Sequence, residues 1–175
     1  MPYPTYHLGV SGFLGLLLRR WLDLPVLLMV NIPIDVEVLF ATKWPEHHRH
    51  WHFHTLLVGG LVGAAFGLLV YQITPVRRLL EKIMKLVRVS YQPKRWKMVL
   101  SGILGAWLHV TMDAIYHYDV QMFWPAKARN LQHPLWRIIT QEQEVYICIA
   151  LGIAAIGLYL LAVRSFNKKQ RKSTN

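Results

Sequence analysis

His109, Asp113 and His117 stand four residues apart in the segment HVTMDAIYHYD, and on a helix that interval returns side chains to one face. A carboxylate between two imidazoles is a ligand set for a divalent cation. With no thiolate in the set, zinc suits it best and manganese or iron next, ahead of calcium or magnesium. His50 and His54 repeat the four-residue interval in HRHWHFH, and His47, His48 and His52 crowd the same stretch. Asp35 and Glu37 (IPIDVEVL), His7 near the N-terminus and Asp119 complete the groups able to hold a metal or move a proton. Taken singly, each reads first as structural: an intramembrane histidine commonly bonds to a neighbouring helix, and a histidine run is commonly an exposed loop. The triplet together with the clustered histidines carries the metal reading. His133 lacks such company and reads as structural.

These residues have to be positioned by helices of unusual apolarity. The chain of 175 residues has room for a single domain, 1–175. It is 54% hydrophobic and only 17% charged, which is too apolar for an ordinary soluble domain. Crossing a hydrocarbon core of about 30 Å takes about 20 mostly apolar residues. Three segments meet that test: Thr55 to Thr74, Met98 to Tyr118 and Val145 to Val163. The second contains Asp113, and a carboxylate at mid-helix costs about 2.5–3.5 kcal/mol on insertion scales, so it requires partners. The first forty residues divide at Asp23 and Pro25 into a short helix from about His7 to Arg20 and another from about Leu24 to Phe40. Asp23 reads as a helix-start residue. Between the third and fourth helices, Val76, Leu79, Leu80, Ile83, Met84 and Val87 recur at helical spacing, opposite Arg77, Arg78, Lys82 and Lys85. That is the pattern of a helix lying in the membrane interface against lipid. The expected fold is therefore all-α: a polytopic membrane helix bundle of about five membrane-embedded helices plus one amphipathic interfacial helix.

Charge orients the bundle. Placed on this map, 15 Lys and Arg residues fall on one side of the membrane and 5 on the other. The richer side is cytoplasmic by the positive-inside rule, which leaves the C-terminus inside a bacterial or archaeal cytoplasmic membrane. The candidate ligand histidines and carboxylates, which took no part in that assignment, gather on the opposite, outer side, while Asp23 stands at the inner face. The net charge of +11 accordingly points to anionic lipid headgroups and not to nucleic acid, because the basic residues border the apolar runs. The lone Cys148 excludes an internal disulfide and a cysteine-based zinc motif. The start, MPYPTYHLGV, lacks a basic leader, so no cleavable signal peptide is expected. Gly59, Gly63 and Gly67, with Ser101 and Gly105, suit close helix packing inside the bundle, and the same spacing can drive a homo-oligomer.

At these motifs the chain resembles the LexA-regulated family of membrane-bound, metal-dependent hydrolases, over about Tyr6 to Val163. The resemblance rests on His7, on IPIDVEVL, on HWHFHTLLVGG and on HVTMDAIYHYDVQMFWP, the last being the most specific. It implies His7, Asp35, His50, His54, His109, Asp113 and His117 as metal ligands, with Asp119 close by. The chain departs from the family pattern at Ile34, where many members carry Asp, and at Trp51, where many carry Arg.

Three functions fit the residues. The first is a metal-dependent hydrolase at the outer interface with one or two divalent ions, and Glu37 or Asp119 as general base. Its substrate would be a small molecule or a lipid, a phosphoester if two metals act together. The second is a non-catalytic metal-binding or metal-transport protein, although the inner half of the fourth helix (MVLSGILGAW) offers no ligand to continue a path. The third is a structural bundle in which the polar groups satisfy one another.

Overall fold

Three local signals delimit the central helix of the fold. Thr55 caps it, its Oγ1 accepting from Val58 N at 3.1 Å and donating to His52 O at 2.8 Å. The uncharged run Leu56–Gln72 then forms one helix, and Pro75, just beyond, cannot continue its hydrogen-bond ladder. The computed structural model describes residues 5–43, 52–126, 134–135 and 138–174, and among them it is all helix, turn and loop. In chain order the helices are α1 (Thr5–Leu17), α2 (Leu24–Met29), α3 (Asn31–Lys43), α4 (Leu56–Gln72), α5 (Thr74–Leu86), α6 (Arg95–Tyr116) and α7 (Gln141–Thr174). By length and composition α6 and α7 could each cross a membrane, and α4 with α5 makes a third candidate if the bent pair counts as one span.

One expectation is corrected. The helix anticipated from Leu24 to Phe40 is two helices, broken at Val30. Pro33 has no N–H, and its ring crowds the carbonyl four residues earlier, at Met29, where α2 stops. Asn31 repairs part of the damage by donating from Nδ2 to Leu28 O at 2.9 Å. At the start of α2, Asp23 is the N-cap, Oδ1 accepting from Val26 N at 3.1 Å.

The bundle is built on close backbone contact. A Cβ on Gly63 would meet the Gly102 carbonyl, and one on Gly67 would meet the Met98 carbonyl, so α4 and α6 touch main chain to main chain. The glycine stripe read from the sequence is thus used within the chain. Gly105 faces Leu27 of α2 and Val30 just after it, and Gly9 of α1 meets Cys148 of α7. Val30, Ile34 and Ala106 form the core between α3 and α6.

α5 leaves α4 at 87°. Arg77 closes the corner, donating to Tyr71 O at 2.6 Å with its guanidinium 5.0 Å from the Tyr71 ring centroid. The apolar stripe of α5 is shared: Leu80 and Met84 are buried in the protein, while Leu79, Ile83 and Leu86 are exposed. α5 ends with Arg88 at φ 55°, Arg88 N bonding Lys85 O and Val89 N bonding Met84 O, both at 3.0 Å. This is the Schellman arrangement, with Val89 packed on Met84. After α6 the chain folds back over the start of α4. There Leu56 N bonds Met122 O at 2.8 Å, and the His52 ring meets Trp124 edge to face at 4.7 Å.

Candidate metal centre

Asp35 comes from α3, His109 and Asp113 from α6, and His54 from the two residues that precede α4. Each of the four brings one ligand atom to within 4.8 Å of the other three. His109 Nε2 lies 3.1 Å from Asp113 Oδ2 and 3.2 Å from Asp35 Oδ1. His54 Nε2 lies 3.4 Å from Asp113 Oδ2 and 3.9 Å from Asp35 Oδ1. A tetrahedral ion with bonds of about 2.0–2.2 Å sets its ligand atoms roughly 3.3–3.6 Å apart, which is the scale of these four separations. Both histidine side chains are fully buried and Asp113 nearly so, whereas Asp35 is 31% exposed and marks the side on which the centre opens.

The opposite edge of each imidazole is held by an acceptor. His54 Nδ1 lies 3.1 Å from Glu37 Oε2, which also accepts from Phe53 N at 3.0 Å. His109 Nδ1 lies 3.0 Å from Asn31 Oδ1. Because Asn31 Nδ2 is already donating to Leu28 O, the amide oxygen is the atom that faces the ring, so His109 carries its proton on Nδ1. Glu37, a carboxylate, imposes the same tautomer on His54. Both Nε2 lone pairs are then turned toward Asp35 and Asp113. Lone pairs facing carboxylates at these distances require positive charge between them, supplied by a divalent cation or by a second proton on each ring. Burial on its own disfavours a charged His54, but the carboxylates of Asp113, Asp35 and Glu37 outweigh it and hold its pKa well above the ordinary imidazole value. Two imidazoles and two carboxylates with accepting groups behind the rings are a donor set that fits zinc-type ions.

The remaining residues singled out from the sequence are placed differently. α6 ends at Tyr116, and His117 caps it in extended conformation, φ −106° and ψ 121°. The helical register that unites His109 with Asp113 therefore does not extend to His117, whose ring packs on Tyr116 at 4.8 Å. Asp119 lies partly buried in the turn that follows and is not one of the four. Glu37 stands behind His54, away from the ligand atoms. His7 lies in α1, but its side chain, like all of His50, His47, His48 and His133, falls outside the described residues.

Asn31 was not singled out from the sequence. Its signal was there: an amide inside the apolar run LLMVNIPIDV, two residues before a proline, is costly to bury unless both its ends are bonded.

The family described as YdjM inner membrane protein matches residues 9–170 of the chain. No curated protein and no solved structure matches it.

Proposed function

The chain belongs to the YdjM inner membrane protein family, known as LexA-regulated membrane-bound metal-dependent hydrolases, and on that premise we propose that it is a membrane-embedded, metal-dependent hydrolase. The observation that carries the reading is the convergence of four ligand atoms from three separate segments, backed by Glu37 and Asn31. Asp35, His54, His109 and Asp113 would hold one divalent ion, zinc before manganese or iron. Such an ion supplies Lewis-acid polarisation of the scissile group and acidifies water.

The rest is the work of the chain. Asp113 and the two histidines, buried in the protein, would fix the geometry and exclude bulk water. Asp35, the one partly exposed member of the four, would be where water and substrate arrive, and its second carboxylate oxygen would be the group to take a proton from that water. Glu37 orients His54 rather than acting on water. The positive-inside rule puts the centre at the non-cytoplasmic interface, among lipid headgroups, which favours a phosphoester or lipid-linked substrate.

The test is elemental analysis of untagged protein purified without chelator, alongside hydrolysis of aryl phosphoesters and phospholipids. About one equivalent of metal is expected, with hydrolysis lost in Asp113→Asn and Asp35→Asn. Metal without hydrolysis of any ester would favour the non-catalytic metal-binding reading. Absence of stoichiometric metal from wild-type protein would end both.

A further inference from the structure

A second polar site lies at the other end of the bundle. Lys97 opens α6 and Asp113 stands sixteen residues later, so the two are separated by about 24 Å along the helix. Near Lys97 the turn after α1, the loop from α5 to α6 and the end of α7 enclose a cavity of about 530 Å³. Arg19, Arg20 and Lys97 line it, and Asp23, only 2% exposed, lies at its floor.

Asp23 is held in place there. Its N–H donates to Ser101 Oγ at 2.6 Å and its Oδ1 accepts from Val26 N at 3.1 Å. Its other oxygen, Oδ2, and the Tyr91 hydroxyl are both buried without a hydrogen bond of good geometry, although the two groups are near enough to shift one another's ionisation. A buried carboxylate oxygen left so is costly, by about 1–3 kcal/mol or more, and a donor brought by a ligand would remove that cost. The Schellman turn at Arg88 is what turns the chain to bring Tyr91 here.

The rim has the character of a lipid headgroup layer. Exposed Trp21 and Trp96 meet edge to face at 6.5 Å. Arg20 lies 5.7 Å from the Trp21 ring centroid and Lys97 5.8 Å from that of Trp96. Tryptophan paired with basic residues is the composition of the membrane–water boundary. Leu24, Met84 and Phe166 add an apolar wall.

We propose that this cavity binds an aminoalkyl phosphate, the headgroup of a phospholipid with a primary ammonium, its phosphate against Arg19, Arg20 and Lys97 and its ammonium directed to Asp23 and Tyr91. Three cations around one buried acid match that charge pattern better than they match a simple anion. The site is separate from the metal centre and does not depend on hydrolysis.

Native mass spectrometry of delipidated protein in detergent tests this, with phosphatidylethanolamine, phosphatidylcholine and phosphatidylglycerol of identical acyl chains. Phosphatidylethanolamine should bind about fivefold or more tightly than the other two, because only it offers hydrogen-bonding ammonium as well as phosphate. Asp23→Asn, which keeps a good helix cap, should bring the three lipids to within about twofold of each other. Tyr91→Phe should move the preference the same way. Arg19→Gln combined with Lys97→Gln should weaken all three lipids together. Metal content, measured on every variant, should stay at the wild-type value. Equal binding of the three lipids by wild-type protein would overturn the proposal, and so would a preference that survives Asp23→Asn. Displacement of the lipid by equimolar phosphoethanolamine would keep the recognition chemistry but overturn the lipid as its source.

Discussion

Asn31 Oδ1 sits 3.0 Å from His109 Nδ1, on the far side of the imidazole from the carboxylates. The same amide donates to Leu28 O at 2.9 Å across the break between α2 and α3. One side chain thus bridges the helix interruption and sets the tautomer of a candidate ligand. Groups behind a ligand histidine commonly govern metal affinity by about 10–100-fold.

Replacing Asn31 by Leu should therefore weaken zinc binding by about 10–100-fold without removing any ligand. Asn31→Asp should be milder, because a carboxylate still accepts from His109 although it cannot donate to Leu28 O. Competition against a chromophoric chelator gives both numbers. Unchanged affinity in Asn31→Leu would mean that His109 is not a ligand.

Glu37→Gln separates two roles. Glu37 bonds His54 Nδ1 and Phe53 N, so the variant should lose metal affinity by about tenfold and regain hydrolysis when metal is supplied in excess. A general base would behave otherwise: hydrolysis would stay low at saturating metal. The measurement is kcat as a function of free zinc.

Gly63→Ala and Gly102→Ala should each destabilise the bundle by about 1–3 kcal/mol, because each added Cβ meets a carbonyl of the facing helix. Gly152 and Gly157 of α7 have open space where a Cβ would go. Alanine there should be neutral or stabilising by up to about 1 kcal/mol, from helix propensity. Thermal unfolding in detergent compares the four, and equal losses at all of them would contradict the α4–α6 contact.

Stability should also report on Asp23. Burial pushes this carboxyl above the ordinary aspartate range, against the Val26 N–H, the Tyr91 hydroxyl and the Lys97 charge, which pull it down. The folded protein then keeps the proton to higher pH than the unfolded chain. Its contribution is full below the ordinary value of about 3.9 and is lost as pH rises through the folded value. Delipidated Asp23→Asn should accordingly gain on wild type between pH 4 and pH 8 in unfolding midpoint. A difference that stays flat or shrinks over that range would show that Asp23 is ionised without penalty in the fold.

Much of the architecture was legible because it is local. Apolar runs long enough to cross a bilayer located α4, α6 and α7, and the four-residue interval of His109 and Asp113 put them on one face of α6. The glycine spacing of α4 announced a close neighbour. The histidine and aspartate motifs pointed to the family that the chain belongs to. None of this needs knowledge of what lies across the bundle, since helix length and periodicity are properties of consecutive residues. What periodicity could not foresee was where a helix stops. Pro33 split one expected helix in two, and α6 ended one residue before His117, leaving that histidine at the cap and not in register with Asp113. Distances between segments were beyond it altogether. Whether Glu37 faced the ligand atoms or stood behind His54, and whether Asn31 reached His109, 78 residues away, depended on how α3 leans on α6. Those placements follow from packing Val30 and Ile34 against Ala106. A side chain's partner across a helix interface is set by such contacts, and they exist only once the chain has folded.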